Sequence, residues 1–319
     1  MTMPAFHSSL AQAMTDLVTF KRMEGFDYTA QAKFLEHFDA FLCKHGYDQT
    51  RLNQQIVEAY IEYTANQAAN GRCSRLSIVR VLSRYLHQLD AESYVLHELP
   101  VKRPSLPRWY LYSPEDIATL MRHAKTLSPA GSLRPHYFYM LIGLLYVTGL
   151  RIGEALALNL ADVDTRRRLL FVRKGKFGKE RYVVLHHTTI QAVGEYLTWR
   201  TLYEPCGENS PFFLSSTGRR LEYRSTAKIF RQMVRSCGVG YDAPHPPRLH
   251  DIRHTYAYNC LLKWYREGDD VNSMLPILAT AMGHANIAST QIYLHVTSQL
   301  LEQALQRFHG TFTFNCKGD

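Results

Sequence analysis

Four short motifs in this chain hold two arginines, a lysine, two histidines and a tyrosine, an inventory that suits attack of a phenol on a phosphodiester. Thr148-Gly-Leu-Arg151-Ile-Gly-Glu154 offers the first arginine, and Lys174-Gly-Lys176-Phe-Gly-Lys179-Glu-Arg181 the lysine. Leu249-His250-Asp-Ile-Arg253-His-Thr carries a histidine and the second arginine. Gly283-His284 places a further histidine nine residues ahead of the tyrosine in Ser289-Thr-Gln-Ile-Tyr293-Leu-His-Val.

Such a reaction needs a nucleophile and cations to meet the charge of a pentacoordinate transition state. It also needs a base for the nucleophile's proton and an acid for the leaving oxygen. Arginine suits the cationic task, because its planar fork donates to two phosphate oxygens at once and keeps its charge. Arg151 and Arg253 fall in different expected helices and can grip a phosphate from two sides. Lys176 is expected at the tip of a β-hairpin, where a point charge on a flexible stem can deliver a proton. His250 lies one turn before Arg253, on the same helix face, and histidine shuttles protons near neutral pH. With side chains as the cations, no metal and no cofactor is expected.

Taken singly, each piece has a plainer explanation. His-x-x-Arg recurs in many helices, Arg151 with Glu154 is an ordinary i,i+3 ion pair, and a Gly-Lys-rich hairpin is usually a solvated turn. With 20 tyrosines and 15 histidines in the chain, one of each proves nothing. The ordered set, each member in a fitting local context, is the specific signal.

The elements that must position these groups follow from periodicity. Phe34, Leu35, Phe38, Phe41 and Leu42 mark a helix over 29–45, and Ile56, Val57, Tyr60 and Ile61 a weaker one over 53–67. Leu76, Val79, Leu82, Leu86 and Leu89 mark a third over 75–89, with Ser74 as its N-cap. Arg80 and Arg84 lie one turn apart off that stripe; phosphate contact and a solvated face account for them equally. Pro100, Pro104 and Pro107, interleaved with Lys102, Arg103 and Arg108, read as an extended basic linker. Ser113-Pro114-Glu115-Asp116 then opens a helix, with serine as N-cap and proline at the first helical position. The domain boundary is therefore expected near residue 105, giving domains 1–105 and 106–319.

The second domain reads as mostly helical with one β element. Leu169–Arg173 and Arg181–Leu185 are β-rich runs flanking a glycine-containing turn. Tyr137 to Leu150 is a 14-residue uncharged run, shorter than the roughly 18 residues a membrane span needs, and reads as a buried helix. Arg224, Lys228, Arg231 and Arg235 recur at spacings of four, three and four, making one basic helix face.

Charge and cysteine content narrow the class. The net charge is +9; residues 1–105 hold 11 basic and 11 acidic groups, so the whole excess lies beyond them. A basic protein of this kind is often a nucleic-acid binder. The six cysteines are scattered without a C-x-x-C pair, and the N-terminus lacks the pattern of a signal peptide. A cytoplasmic, non-membrane protein with reduced thiols is expected.

These motifs resemble those of the tyrosine recombinases of the phage-integrase and Xer type, over essentially the whole length. The resemblance implies a two-domain DNA clamp: a helical, SAM-like core-binding domain, and a mainly α catalytic domain with a small antiparallel β-sheet. It implies Tyr293 as nucleophile, forming a 3′-phosphotyrosyl link, and Arg151, Arg253 and His284 around the scissile phosphate. His250 would be the acid/base partner of Tyr293, Lys176 the acid for the 5′-oxygen, and Glu154 a supporting carboxylate. Phe177 departs from the glycine common in the family's hairpin. Arg80, Arg84, Lys174, Lys179, Arg181, Arg224, Lys228, Arg231 and Arg235 are expected to face DNA.

The expected activity is site-specific cutting and rejoining of double-stranded DNA, for integration, excision or transposition of a mobile element. Type IB topoisomerase-like relaxation and a silent DNA-binding regulator are the rivals. Leu300, Leu301, Ala304 and Leu305 suggest an amphipathic tail helix over 298–308. That helix would link four protomers on synapsed DNA, or else pack on its own domain. A second recombinase or an accessory protein is a further candidate partner, and the sequence leaves open whether either is required.

Overall fold

The computed structural model describes residues 4–101, 109–173, 180–203, 207, 209–215, 217–284 and 286–295. The chain divides into two compact units, Met1–Pro107 and Arg108–Asp319.

In the first unit the described residues form α1 (Ala11–Met23), α2 (Thr29–Lys44), α3 (Gln54–Tyr63) and α4 (Ala69–Leu89). Leu35, Phe38, Phe41 and Leu42 of α2 share one buried cluster with Ile56, Val57 and Tyr60 of α3 and Leu76, Val79, Leu82 and Leu86 of α4. Asn53 caps α3, its Oδ1 accepting the Ile56 N–H at 2.9 Å. Ser74 does not cap α4. The helix begins at Ala69, and the Ser74 hydroxyl donates to the Asn70 carbonyl inside it. Burial of Cys73 alongside Leu76 carries the helix past the serine, so packing overrides the capping preference. Helix α1 buries Met14, Leu17 and Val18. The chain ahead of it is pinned by the buried Asp39 carboxylate, which accepts the backbone N–H groups of His7 and Ser8 at 2.8 and 2.9 Å.

The second unit opens with α5 (Pro114–Ala124), closed by the Ser113/Asp116 capping box. Most of the uncharged run lies in α6 (Leu133–Thr148), whose residues Phe138, Leu141, Ile142, Leu144 and Leu145 lie at the centre of the larger core. Gly149 ends it in the left-handed region (φ 61°), and a short α7 (Ile152–Ala157) follows. Strands β1 (Val163–Asp164), β2 (Leu169–Val172) and β3 (Arg181–Val184) make an antiparallel sheet in that order. Its register pairs Leu169 with Val184 and Val172 with Arg181. Then come α8 (His187–Thr201), α9 (Tyr223–Ser236), α10 (Leu249–Glu267), α11 (Val271–Met282) and α12 (Ala288–Gln291), with a 3-10 turn over Ile292–His295. A satellite core of Ala257, Tyr258, Leu261, Leu275, Leu278 and Met282 includes Tyr293. Among the described residues no helix is long and apolar enough to cross a membrane.

Candidate active site

The site is organised by the C-terminal end of α11. Its last carbonyls have no partner within the helix and carry the negative end of its dipole. Three arginines gather on them. Arg181 Nε donates to the Ala281 carbonyl at 2.9 Å. Arg253 Nη2 donates to Met282 at 2.7 Å, and Arg151 donates to Met282 at 3.3 Å and to Gly283 at 2.9 Å. Gly283 stands at φ 65°, and a Cβ there would come within 2.6 Å of the Arg181 guanidinium. The close approach thus needs glycine twice, for backbone and for space.

Each arginine arrives from a firmly built element. Arg151 is the N-cap of α7, with Glu154 reaching back to its backbone N–H at 3.0 Å. Arg253 lies on α10, is 2% exposed, and gives its other fork nitrogen to the Gly149 carbonyl at 2.7 Å. The first arginine motif is thereby tied through Gly149 to the second arginine. Tyr256 of α10 packs so tightly here that a Cβ at Gly149 would meet its ring at 2.2 Å.

Glu154 is buried between two guanidiniums, with Arg151 Nη1 at 2.8 Å and Arg181 Nη2 at 2.8 Å. Burial alone would raise this carboxyl; the hydrogen bonds and charge of Arg181, then those of Arg151, hold it below its usual value. Arg181, expected from its place in the basic hairpin to face DNA, faces inward instead. Its side chain is 9% exposed, and Nε, Nη1 and Nη2 are all engaged by Ala281 and Glu154. Strand β3 points it inward, where it braces Glu154 against α11. Burial, then the nearby charge of Arg151, brings Arg253 down to about 10, still protonated at neutral pH.

Tyr293 is 3% exposed in its 3-10 turn. Burial raises its hydroxyl above the ordinary phenol value, while the charges of Arg253 and Arg151 pull it back. The His284 ring lies parallel to it at 6.4 Å. Thr290 of α12 sits 2.7 Å from His284 Nδ1, which leaves Nε2, unpartnered among the described residues, as the nitrogen to address a ligand. Burial, Arg253 and Arg151 push His284 down to about 4, so it is neutral at physiological pH.

The histidine touching the tyrosine hydroxyl is not His250. His254 Nδ1 lies 2.9 Å from the Tyr293 hydroxyl, and the His254 ring stacks on Trp109 at 4.2 Å. His250 is exposed and meets His254 edge-on at 4.8 Å. Burial, then the charges of its neighbours, pushes His254 down to about 3. His254 is not singled out by the His-x-x-Arg motif, although its spacing of four residues from His250 on one helix is a usable signal. Nothing in the sequence pointed to Trp109.

Of the remaining candidates, Arg224, Lys228, Arg231 and Arg235 all stand exposed on α9, with no carboxylate paired to them among the described residues. Phe230, Met233 and Val234 turn the opposite face into the core. Arg84 is exposed and Arg80 half-buried on α4. Lys174, Lys176, Phe177 and Lys179 lie outside the described residues, as does the expected tail helix over 298–308.

The phage integrase family model matches residues 112–299, which hold all four motifs. The chain is 36% identical over 307 residues to the inferred integrase/recombinase y4rB of Sinorhizobium fredii, covering 94% of this chain and 97% of that relative. It is 31% identical over 290 residues to the tyrosine recombinase XerD of Caulobacter vibrioides, covering 88% and 89% of the two. Among solved structures, it is similar to the Tn1549 transposon integrase in complex with transposon right end DNA. The TM-score is 0.67 at 16% identity, over 94% of this chain and 99% of that one. XerH recombinase bound to difH substrate gives a TM-score of 0.64 at 21% identity, over 95% and 85%. These two structures speak to the fold, and the two sequence relatives to descent: the chain belongs to the phage integrase family, the tyrosine recombinases.

Proposed function

We propose that this site-specific recombinase breaks and rejoins DNA strands through Tyr293, with Arg151 and Arg253 as the clamp on the scissile phosphate. The observation that carries the reading is the convergence of both guanidiniums on the Met282 carbonyl, with the charges of both acting on the Tyr293 hydroxyl. The phenol oxygen attacks phosphorus, an O–P bond to Tyr293 forms, and the bond to the 5′-oxygen breaks. His250, which reaches solvent, takes the phenol proton once the hydroxyl turns from His254 onto the phosphate, and Lys176 protonates the departing 5′-oxygen. His284 donates from Nε2 to a non-bridging oxygen. Glu154 and Arg181 hold the clamp in place. Attack by the 5′-hydroxyl of a partner strand reverses the chemistry, so the phosphodiester energy is conserved.

The basic face of α9 and the arginines of α4 supply phosphate contacts, which set affinity and position more than sequence choice. The protein acts in the cytoplasm on double-stranded DNA carrying specific sites, as a tetramer on two synapsed duplexes. Integration, excision or transposition of a mobile element is the reading supported by the integrase/recombinase relative.

A duplex selected for binding from a randomised library, then nicked near its centre, tests the reading. Wild-type protein should form an SDS-resistant adduct with it, in EDTA as well as without. Loss of the adduct under chelation, or its persistence in Tyr293→Phe, would overturn the proposal.

A further inference from the structure

Tyr293 sits on a light scaffold. It lies in a 3-10 turn of four residues after the four-residue α12, whereas Arg253 stands on the 19-residue α10. A nucleophile so mounted needs a fixed reference to the phosphate clamp, because small misplacements cost large factors in rate. His254 is the next residue after Arg253, and its Nδ1 is 2.9 Å from the Tyr293 hydroxyl.

His254 is itself held. Trp109 stacks on it at 4.2 Å with the planes 10° apart, and also meets the Tyr293 ring at 5.0 Å. The strand of chain carrying Trp109 is tied back to α10, where the Tyr112 N–H donates to Thr255 Oγ1 at 3.0 Å and the Tyr112 hydroxyl to the Arg248 carbonyl at 3.1 Å. The imidazole thus stands between an indole and the edge of His250, with little rotational freedom.

We infer that His254, backed by Trp109, is a positioning residue that accepts the Tyr293 hydroxyl hydrogen bond and registers the nucleophile against Arg253. The inference rests on Tyr293 being the nucleophile. Its role is orientation and not proton removal: His254 is 8% exposed and far less basic than an ordinary histidine, whereas His250 beside it keeps an exposed side chain, although burial of its ring and the charge of Arg253 lower it too.

Three substitutions of His254 separate orientation from packing and from base catalysis, with a fourth, at Trp109, as a further probe. The readout is the single-turnover rate of adduct formation on the nicked, library-selected duplex, with binding to that duplex and thermal melting as controls of folding. His254→Phe keeps a ring for Trp109 but has no acceptor, and should slow the adduct by about tenfold or more. His254→Ala should be slowed at least as much. His254→Asn places Oδ1 near the position of Nδ1 and cannot take a proton, and should recover to within about threefold of wild type. Trp109→Leu, made as a second probe should the histidine variants melt early, should slow the adduct with binding unchanged.

A wild-type rate in His254→Phe would reduce the residue to packing. Failure of His254→Asn to recover would make it a base, and a faster adduct in His254→Ala would make the contact a restraint. Any of these overturns the inference while leaving Tyr293 as nucleophile. Absence of an adduct from wild-type protein would instead remove the parent reading.

Discussion

Arg151 and Arg253 share one acceptor: both guanidiniums donate to the carbonyl oxygen of Met282, at 3.3 and 2.7 Å. Two cations come together there because the C-terminal end of α11 carries a partial negative charge and buried Glu154 a full one. The pair is thus assembled by the fold itself, as the proposed phosphate clamp requires. That preorganisation is what makes charge stabilisation effective in a transition state.

Glu154→Gln tests this assembly. Removing the charge leaves Arg181, itself 9% exposed, without its counter-ion. Loss of one partner of a buried pair costs about 3 kcal/mol or more. Chemical denaturation should show a loss of that order. Adduct formation should fall with it, even at temperatures where the variant remains folded. An unchanged denaturation midpoint would show that Arg181 finds another partner.

Gly149→Ala should be damaging out of proportion to one methyl group. The residue stands at φ 61°, the added Cβ meets Tyr256 at 2.2 Å, and the same residue's carbonyl holds Arg253. Strain and overpacking together should cost about 2 kcal/mol or more. Gly153→Ala, where a Cβ meets nothing within 4 Å, is the matched control and should melt close to wild type.

Acid should loosen the second unit through its histidines. His254 is pushed down to about 3 and His284 to about 4. Both folded values lie below the unfolded one, so the folded state binds fewer protons. Their contribution is complete above the unfolded value of about 6.5, and is lost progressively as pH falls from there toward the folded values. For the buried His254 the loss between pH 7 and 5 should be about 1–2 kcal/mol, and smaller for the more exposed His284. Melting temperatures across that window should fall in wild type and fall less in His254→Phe. Equal slopes would place the acid sensitivity elsewhere.

The exposed face of α9 should set the salt dependence of DNA binding. Replacing Lys228 and Arg231 with alanine should weaken binding similarly across different duplexes. It should also reduce the slope of log affinity against log salt by about 2. An unchanged slope would mean that this face does not meet phosphate.

Much of the site was legible because its chemistry is local. Arg151, Arg253, His284 and Tyr293 each sit in a short motif, and helix signals such as Ser113-Pro114 or the uncharged run before Gly149 place the elements that carry them. The contacts made across the fold were not legible. Arg181 looks like one more cation in a basic hairpin, and only the pairing of β2 with β3 and the approach of α11 turn it onto Glu154. His254 was hidden by its neighbours, because His-x-x-Arg directs attention to His250. Trp109 lies 184 positions before Tyr293, and no periodicity links them. Ser74 misled for the opposite reason: a strong local signal was overridden by burial further up α4.

The central question is which residue becomes joined to DNA. Adduct formed on the nicked, library-selected duplex can be digested with nuclease and protease, and the nucleotide-bearing peptide sequenced by mass spectrometry. A single modified residue, Tyr293, is expected, with no modified peptide from Tyr293→Phe. A nucleotide found on Tyr256 or Tyr258 of α10, or on any serine, would contradict it.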